Sequence, residues 1–304
     1  MKLNHQTFEC ILKSERSIYF DTFPTFIFRS VIGKELRKIS CLFKNRNCSE
    51  CSLKNTCAYS FIFETPVDKE NRLLHGRNRA PHPFTLYSPV SANETTDTIA
   101  LNITMFGKSI EYFPYLYFSL KQAGEKGIFR DRVRLSVDSL LCGDSSILLE
   151  EEKIDTSVPP RVWRIEGSED RQVKKINIKL LSPLRLKYSG KYGTDFTCFD
   201  FLNAVERRAR LLCGFFGEDQ QDRNKPVFST GNKQITERDL IWHDYRYYSS
   251  RQKSRLKMGG TVGSFSLEGE FSSGELSLLK GAELFQVGKN SVFGFGKISI
   301  YEED

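Results

Sequence analysis

Four cations alternate without a break in the stretch SRQKSRLK: Arg251, Lys253, Arg255 and Lys257. On a strand, alternate side chains share a face, so these four would stand about 6.6 Å apart at a rise of about 3.3 Å per residue. That spacing suits a phosphate backbone lying along the strand. FRDRVRL repeats the device with Arg130, Arg132 and Arg134, while Val133 and Leu135 point to the core. A single stripe is equally consistent with a charged edge strand that discourages aggregation. Two stripes together with a basic helix favour a polyanionic ligand. Tyr245, Tyr247 and Tyr248 precede the first stripe, placed either to stack on bases or to pack an edge.

A second constellation is the run CLFKNRNCSECSLKNTC, in which Cys41, Cys48, Cys51 and Cys57 have the spacing C-x6-C-x2-C-x5-C. Four thiolates this close can surround a tetrahedral zinc ion, with an iron–sulfur cluster as the alternative from the count alone. The segment reads as a structural metal site, with no metal or cofactor for catalysis.

Histidine is scarce: His5, His75, His82 and His243. Cleaving RNA without a metal needs a base for the 2′-OH proton, an acid for the leaving 5′-oxygen and cations to hold charge on phosphorus. His82, in RAPHPF near Arg77 and Arg79, has the surroundings such a group wants. His5 and His243 read as packing residues.

The elements that must position these groups follow from the pattern of the chain. At 304 residues the chain holds two ordinary domains, and its 39% apolar and 27% charged content is that of a globular protein. Net charge is +7, in keeping with a polyanionic partner. No apolar run is long enough for a bilayer, and the N-terminus lacks the apolar core of a signal peptide. The expectation is a cytoplasmic protein with no membrane partner, whose cysteines are not a disulfide framework.

LNHQTFECIL reads as a strand, and TFIFRSVIGKELRKIS as an amphipathic helix carrying Arg29, Lys34, Arg37 and Lys38. AYSFIFETP, HPFTLYSP, DTIALNITMFG and RDRVRLSVDSLL read as strands, with a helix over KSIEYFPYLYFSLKQAG. The stretch from Pro159-Pro160 to Arg171 reads as the connection between domains. In the second half, KKINIKLLSPLRLKY is a strand. A helix follows, placing Phe199, Leu202, Val205, Ala209 and Leu212 on one face and Arg207, Arg208 and Arg210 largely on the other. RYYSSRQKSRLK and GGTVGSFSLEGEF, the helix SGELSLLKGAELF and the final strand SVFGFGKISIY complete the half. Strand, helix, two strands, helix, strand is the ferredoxin-like order, and the first half reads the same way. The fold class is therefore α+β, with two tandem ferredoxin-like domains. The N-terminal domain spans 1–155 with its four-cysteine segment at 41–57, and the C-terminal domain spans 172–304.

VGKNSVFGFG, with Gly288, Lys289, Gly294 and Gly296, resembles the glycine-rich loop of the RAMP superfamily of CRISPR-associated proteins: apolar-Gly, five residues, Gly-apolar-Gly. WHDYRYYSSRQKSRLKMGGTVGSFSLEG resembles the C-terminal signature of the CRISPR precursor-RNA processing endoribonucleases of that superfamily. SPLRLKY is similar to their second-domain opening, and CSECSLKNTCAYSFIFETP with PHPF to their first-domain cysteine segment. Two positions depart from the pattern: Tyr247 stands where an arginine is usual, and Gln286 where relatives often carry histidine.

The resemblance implies RRM-like RAMP domains and an endoribonuclease that binds CRISPR repeat RNA and cuts pre-crRNA into crRNA units, leaving a 2′,3′-cyclic phosphate. On that basis Arg246, Arg251, Lys253, Arg255, Lys257, Gly288, Lys289, Gly294 and Gly296 are expected to bind RNA. His82, or Lys34 and Lys38 on the first helix, are expected to carry cleavage. Cys41, Cys48, Cys51 and Cys57 are expected to hold a structural zinc. The alternative is an inactive repeat- or crRNA-binding subunit among the other subunits of a CRISPR effector complex.

Overall fold

The computed structural model of the chain describes residues 1–43, 47–67, 80–129, 131–165, 173–218, 226–229, 231–249 and 254–303, without the side chains of 152, 248, 249, 255 and 256. The chain divides into two compact units, one of residues 4–161 and one of residues 162–304 together with 1–3.

The unit of residues 4–161 runs β1 (Lys2–Phe20), α1 (Pro24–Ser40), β2 (Phe84–Tyr87), β3 (Glu94–Phe106), α2 (Phe113–Lys126), β4 (Leu135–Cys142) and the short β5 (Ser145–Ser146). The sheet order is β2-β3-β1-β4-β5, and β1 pairs antiparallel with both β3 and β4. Along β1 the alternation of Phe8, Cys10 and Leu12 is buried as its period of two requires. Phe28, Ile32 and Leu36 of α1 and Leu116, Leu120 and Ala123 of α2 are buried at helical spacing. Pro24 opens α1, where a missing N–H costs nothing. Glu35, with 7% of its side chain exposed, takes Lys38 on one carboxylate oxygen and Lys126 on the other, each at 2.6 Å, and so ties α1 to α2.

Two expectations for this half need correction. AYSFIFETP is not a strand: Ser60–Glu64 forms a helical turn that ends at Thr65 with φ 40°. A short apolar run does not distinguish a buried strand from a buried helical turn. Asp131–Arg134 do not lie on β4, which begins at Leu135; Arg132 has φ 50° inside a turn closed by an Ile128–Val133 bridge. The second basic stripe is therefore absent from any strand among the described residues, and Arg130 lies outside them. Val133 and Leu135 are buried as expected. Within the expected connection, residues 161–164 form a strand, β6 (Arg161–Arg164), paired with β1, and Ile165 N–H donates to the Met1 carbonyl.

The other unit runs β7 (Val173–Leu184), β8 (Lys187–Tyr188), β9 (Lys191–Tyr192), α3 (Cys198–Phe216), β10 (Gln234–Ser249), β11 (Ser254–Phe271), α4 (Ser273–Phe285) and β12 (Ile298–Glu303). β8 and β9 form a small hairpin; the main sheet has the order β10-β11-β7-β12, with β10–β11, β11–β7 and β7–β12 all antiparallel. Ile176, Ile178 and Leu180 bury one face of β7. Both long helices begin with a reciprocal cap, Thr197 with Asp200 and Ser272 with Glu275. Glu275 also accepts the Ser229 N–H at 2.7 Å and the Lys233 ammonium at 2.9 Å, and those two charged side chains are only 3% and 4% exposed. Such a pair persists in the interior because its charges satisfy each other and nearby N–H groups.

Two expectations for α3 were wrong. Phe199 is 66% exposed, while Leu202, Val205, Ala209 and Leu212 are buried. Arg208 turns inward rather than outward, donating to the Phe285 carbonyl at 3.2 Å and to Ser291 Oγ at 3.0 Å. Desolvation pulls its pKa down to about 10, still above neutral pH, so it stays a cation at the C-terminal carbonyls of α4.

The connection from α4 to β12 is a compact turn rather than the start of a strand. Val287 N–H donates to the Gly296 carbonyl, Gly296 N–H to the Pro183 carbonyl and Lys289 N–H to the Arg185 carbonyl, at 2.8 to 2.9 Å. Gly288 and Gly296 have φ +83° and +79°. A Cβ on Gly296 would fall on the Val287 carbonyl oxygen, and one on Gly288 would stand 2.6 Å from the Arg185 carbonyl oxygen.

Gly296→Ala is accordingly expected to destabilise the protein by about 1–3 kcal/mol or more, through both the forbidden conformation and the displaced carbonyl. Urea unfolding checks it; an unchanged midpoint would show that the turn can reopen without cost. His5 generates a second expectation. Burial, then the Arg161 charge, lowers its pKa to about 4, and its Nδ1 has no hydrogen-bond partner among the described residues. The unfolded chain protonates this histidine near pH 6.5 while the folded chain does not, so its contribution to stability is complete above 6.5 and declines toward pH 4. His5→Gln should flatten the fall in melting temperature across that interval, and a parallel fall in the variant would exclude His5 as its source.

Candidate nucleic-acid interface

β10 and β11 pair from Gln234–Glu268 to Ser249–Ser254, making a long two-stranded arm. Near its end Arg246 stands directly opposite Lys257, and both are exposed. Like charges facing each other across a ladder are destabilising. Neither has an ion-pair partner among the described residues. β11 begins at Ser254, so of the four cations in SRQKSRLK only Arg255 and Lys257 belong to it. Arg251 and Lys253 lie outside the described residues.

Of the two alternatives for the tyrosines, Tyr245 and Tyr247 take packing. Tyr245 meets Phe295 edge-on at 6.3 Å and Tyr247 lies 5.7 Å from Phe293, so both pack β10 against the glycine turn. Burial raises the Tyr245 phenol above its usual pKa. Tyr248 is paired with Arg255 through the backbone.

The glycine turn contributes side chains more than amides. The N–H groups of Val287, Lys289, Phe293, Gly294, Phe295, Gly296 and Lys297 all donate within the protein. The glycines serve close backbone approach, and the exposed cation the turn delivers is Lys289. Lys289 stands beside residues that the sequence reading missed. The Arg185 guanidinium lies 4.0 Å from the centroid of the Tyr192 ring and donates to the Gly259 carbonyl at 2.6 Å; the Lys289 ammonium lies 5.8 Å from the same centroid. Burial by itself would raise the Tyr192 phenol, but hydrogen bonding and charge from Lys289, with the charges of Arg185 and Lys187, bring it below its usual value.

In the other unit, His82 Nδ1 lies 3.4 Å from Thr65 Oγ1, with its ring 6.4 Å from Phe63 and 6.1 Å from Phe84. Arg29 of α1 lies over the same Phe63 ring at 5.1 Å, so His82 and Arg29 border one aromatic residue. Arg77 and Arg79, expected beside His82, and His75 lie outside the described residues. Lys34 is exposed on α1, whereas Lys38 is committed to Glu35. His243 is exposed beside Tyr245, at 6.3 Å between rings, and is not a core residue.

Cys41, Cys48, Cys51 and Cys57 are all half-buried free thiols. Burial, then Glu64, raises the Cys48 thiol, with Cys41 and Cys57 among its electrostatic neighbours and Arg37 opposing them. Cys57 Sγ points to the Ser40 carbonyl at 3.8 Å. Among the described residues no three metal-ligating side chains gather into a closed site. No helix among them is long and apolar enough to cross a membrane.

Comparison with known proteins supplies what geometry alone does not. Residues 3–159 match the AF_1859_N N-terminal domain family, and residues 178–298, containing the arm and the glycine turn, match the family described as CRISPR-associated endoribonuclease Cas6. An uncharacterised protein of Archaeoglobus fulgidus is 23% identical over 292 residues, 93% of this chain and 95% of its own. A solved Cas6 product complex shares the fold at a TM-score of 0.58 and 15% identity, covering 98% of this chain and 99% of that one. A chain of a partial Cas6-RT-Cas1–Cas2 complex aligns at a TM-score of 0.54 and 13% identity, over 99% of this chain and 46% of its own. Residues 178–298 are thus similar to the CRISPR-associated endoribonuclease Cas6 family, and the chain as a whole shares a Cas6-like fold.

Proposed function

We propose that the protein binds CRISPR repeat RNA and cleaves pre-crRNA into crRNA units as a metal-independent endoribonuclease. The observation that carries this reading is the facing pair Arg246 and Lys257, which lies inside the family-matched segment and lacks a neutralising carboxylate among the described residues. In this reading the two units are RRM-like, ferredoxin-like RAMP domains, 1–155 and 172–304, and the turn at 288–296 is the glycine-rich loop of that superfamily. Arg246, Arg255, Lys257 and Lys289 bind RNA together with Arg251 and Lys253. Gly288, Gly294 and Gly296 act by shaping the loop that presents Lys289.

Cleavage proceeds by attack of the 2′-oxygen on the adjacent phosphorus. The 2′-O–P bond forms as the P–O5′ bond breaks, leaving a 2′,3′-cyclic phosphate and a 5′-OH. A base takes the 2′-OH proton, an acid supplies one to the 5′-oxygen, and cations hold the charge that builds on phosphorus. His82 is assigned the proton transfers. Lys34 is the α1 cation with no ion-pair partner among the described residues and is assigned the charge stabilisation. Lys38 contributes its field while bound to Glu35.

A second reading, an inactive crRNA-binding subunit of a larger CRISPR assembly, is favoured by the histidines themselves. His5 is held neutral by burial and His82 is flanked by Phe63 and Phe84. Labelled repeat RNA from the protein's own locus, incubated with EDTA, separates the two. Cutting that persists in EDTA, with His82→Ala slowing it 10²–10⁴-fold at nearly unchanged affinity, is the expected outcome. If His82→Ala is silent while Lys34→Ala abolishes cutting, the proton-transfer assignment falls. If wild type binds tightly and leaves the RNA intact, the second reading replaces the first.

The four cysteines are assigned a structural zinc on their spacing and thiol chemistry, and binding would have to draw together side chains that form no three-ligand cluster among the described residues. Elemental analysis of protein purified without added metal should find one zinc per chain, lost in Cys48→Ser. Absence of both zinc and iron, with four freely titrating thiols, would rule the site out.

A further inference from the structure

We propose that Arg185 and Lys289, held around the ring of Tyr192, form a discrete binding site for one phosphate of the RNA backbone. The inference rests on the RNA-binding reading above and extends it to Arg185 and Tyr192, which the sequence did not single out as RNA-binding.

The site is built by backbone before it is built by charge. Arg185 forms a bridge with Gly288, and its carbonyl accepts the Lys289 N–H at 2.9 Å, so the two cationic residues are fixed to each other across a sequence gap of more than a hundred residues. The β8–β9 hairpin, in register Lys187–Tyr192 and Tyr188–Lys191, then brings the Tyr192 ring under both side chains. Arg185 is held twice, by stacking at 4.0 Å and by its bond to the Gly259 carbonyl. A guanidinium constrained in this way loses little freedom when it grips an anion, and its planar fork matches a phosphate edge. Lys289 is exposed and supplies a point charge beside it.

Charge balance points to an anion. Lys187 and Lys191 add two exposed cations on the hairpin, with Lys191 5.4 Å over the Tyr188 ring. None of these four cations is in an ion pair among the described residues. A ring face attracts a cation, but it does not neutralise two of them. The position points to a polyanion rather than a lone ion. Arg185 donates to Gly259 on β11, two residues beyond Lys257, so the cluster continues the row of cations begun by Arg246 and Lys257. Repeated phosphates on one strand can occupy both.

The test uses the full-length protein and repeat RNA made uncleavable by a 2′-deoxy substitution at the cut site, titrated over a range of salt. Lys289→Ala removes an exposed side chain and leaves the backbone bond to Arg185 possible. It should weaken binding and flatten the slope of log affinity against log salt by about 0.7. A scan of RNAs with a single uncharged methylphosphonate linkage should find one position that weakens wild type and has no further effect on Lys289→Ala. Arg185→Lys, which keeps charge but loses the fork, should weaken binding with its sensitivity confined to that same position. If both variants keep the wild-type slope, or if no single linkage is coupled to Lys289, the phosphate site is overturned while RNA binding stands. If wild type binds no repeat RNA, the RNA-binding reading is overturned and the site with it.

Discussion

The arrangement of the C-terminal unit depends on one close approach of backbone to backbone, where the chain leaving α4 folds onto the end of β7. Three hydrogen bonds, Val287 to Gly296, Gly296 to Pro183 and Lys289 to Arg185, can form together only where two positions have no Cβ. From that stitch follow the placement of Lys289, the seating of Phe293 and Phe295 against the tyrosines of β10, and the reach of Arg208 to Ser291. The glycines therefore work first as steric permission, and the chemistry of the turn resides in what they allow to stand nearby.

Carboxylates and cations are used differently across the molecule. Glu35, Glu206 and Glu275 are buried, and each serves several donors: Glu35 two lysines, Glu206 Arg210 with the Val227 and Phe228 amides, and Glu275 Lys233 with Ser229 and Ser272. These carboxylates hold helices and loops in place. Arg246 and Lys257 on the arm, Lys289 on the turn and Arg185 just after β7 have no such partners among the described residues. An excess of seven positive charges is thus a matter of location as well as number.

Much of the element order was legible because burial imposes a period. KKINIKLL alternates and becomes the central β7, and Leu202, Val205, Ala209 and Leu212 recur at helical spacing and become the core face of α3. Both halves have the expected succession of strand, helix, two strands, helix and strand, together with matching sheet orders. Errors arose where period is uninformative. Seven residues of AYSFIFE cannot separate a strand from a helical turn, and alternating arginines in RDRVRL do not reveal that Arg132 adopts a left-handed conformation. Arg208 reads as solvent-facing from its neighbours, yet carbonyls at the end of α4 draw it inward. Lys289 was legible in the glycine-rich motif, but its meeting with Arg185 and Tyr192 was not, because they come together through a bridge between distant segments.

The facing of Arg246 and Lys257 gives ionic strength two opposite effects. In the free protein added salt screens their mutual repulsion and tightens the end of the β10–β11 arm. Once a polyanion lies across the same two side chains, added salt competes for them and loosens the complex. On the proposed RNA-binding reading, the salt that best settles the empty arm is the salt that most weakens its hold on RNA.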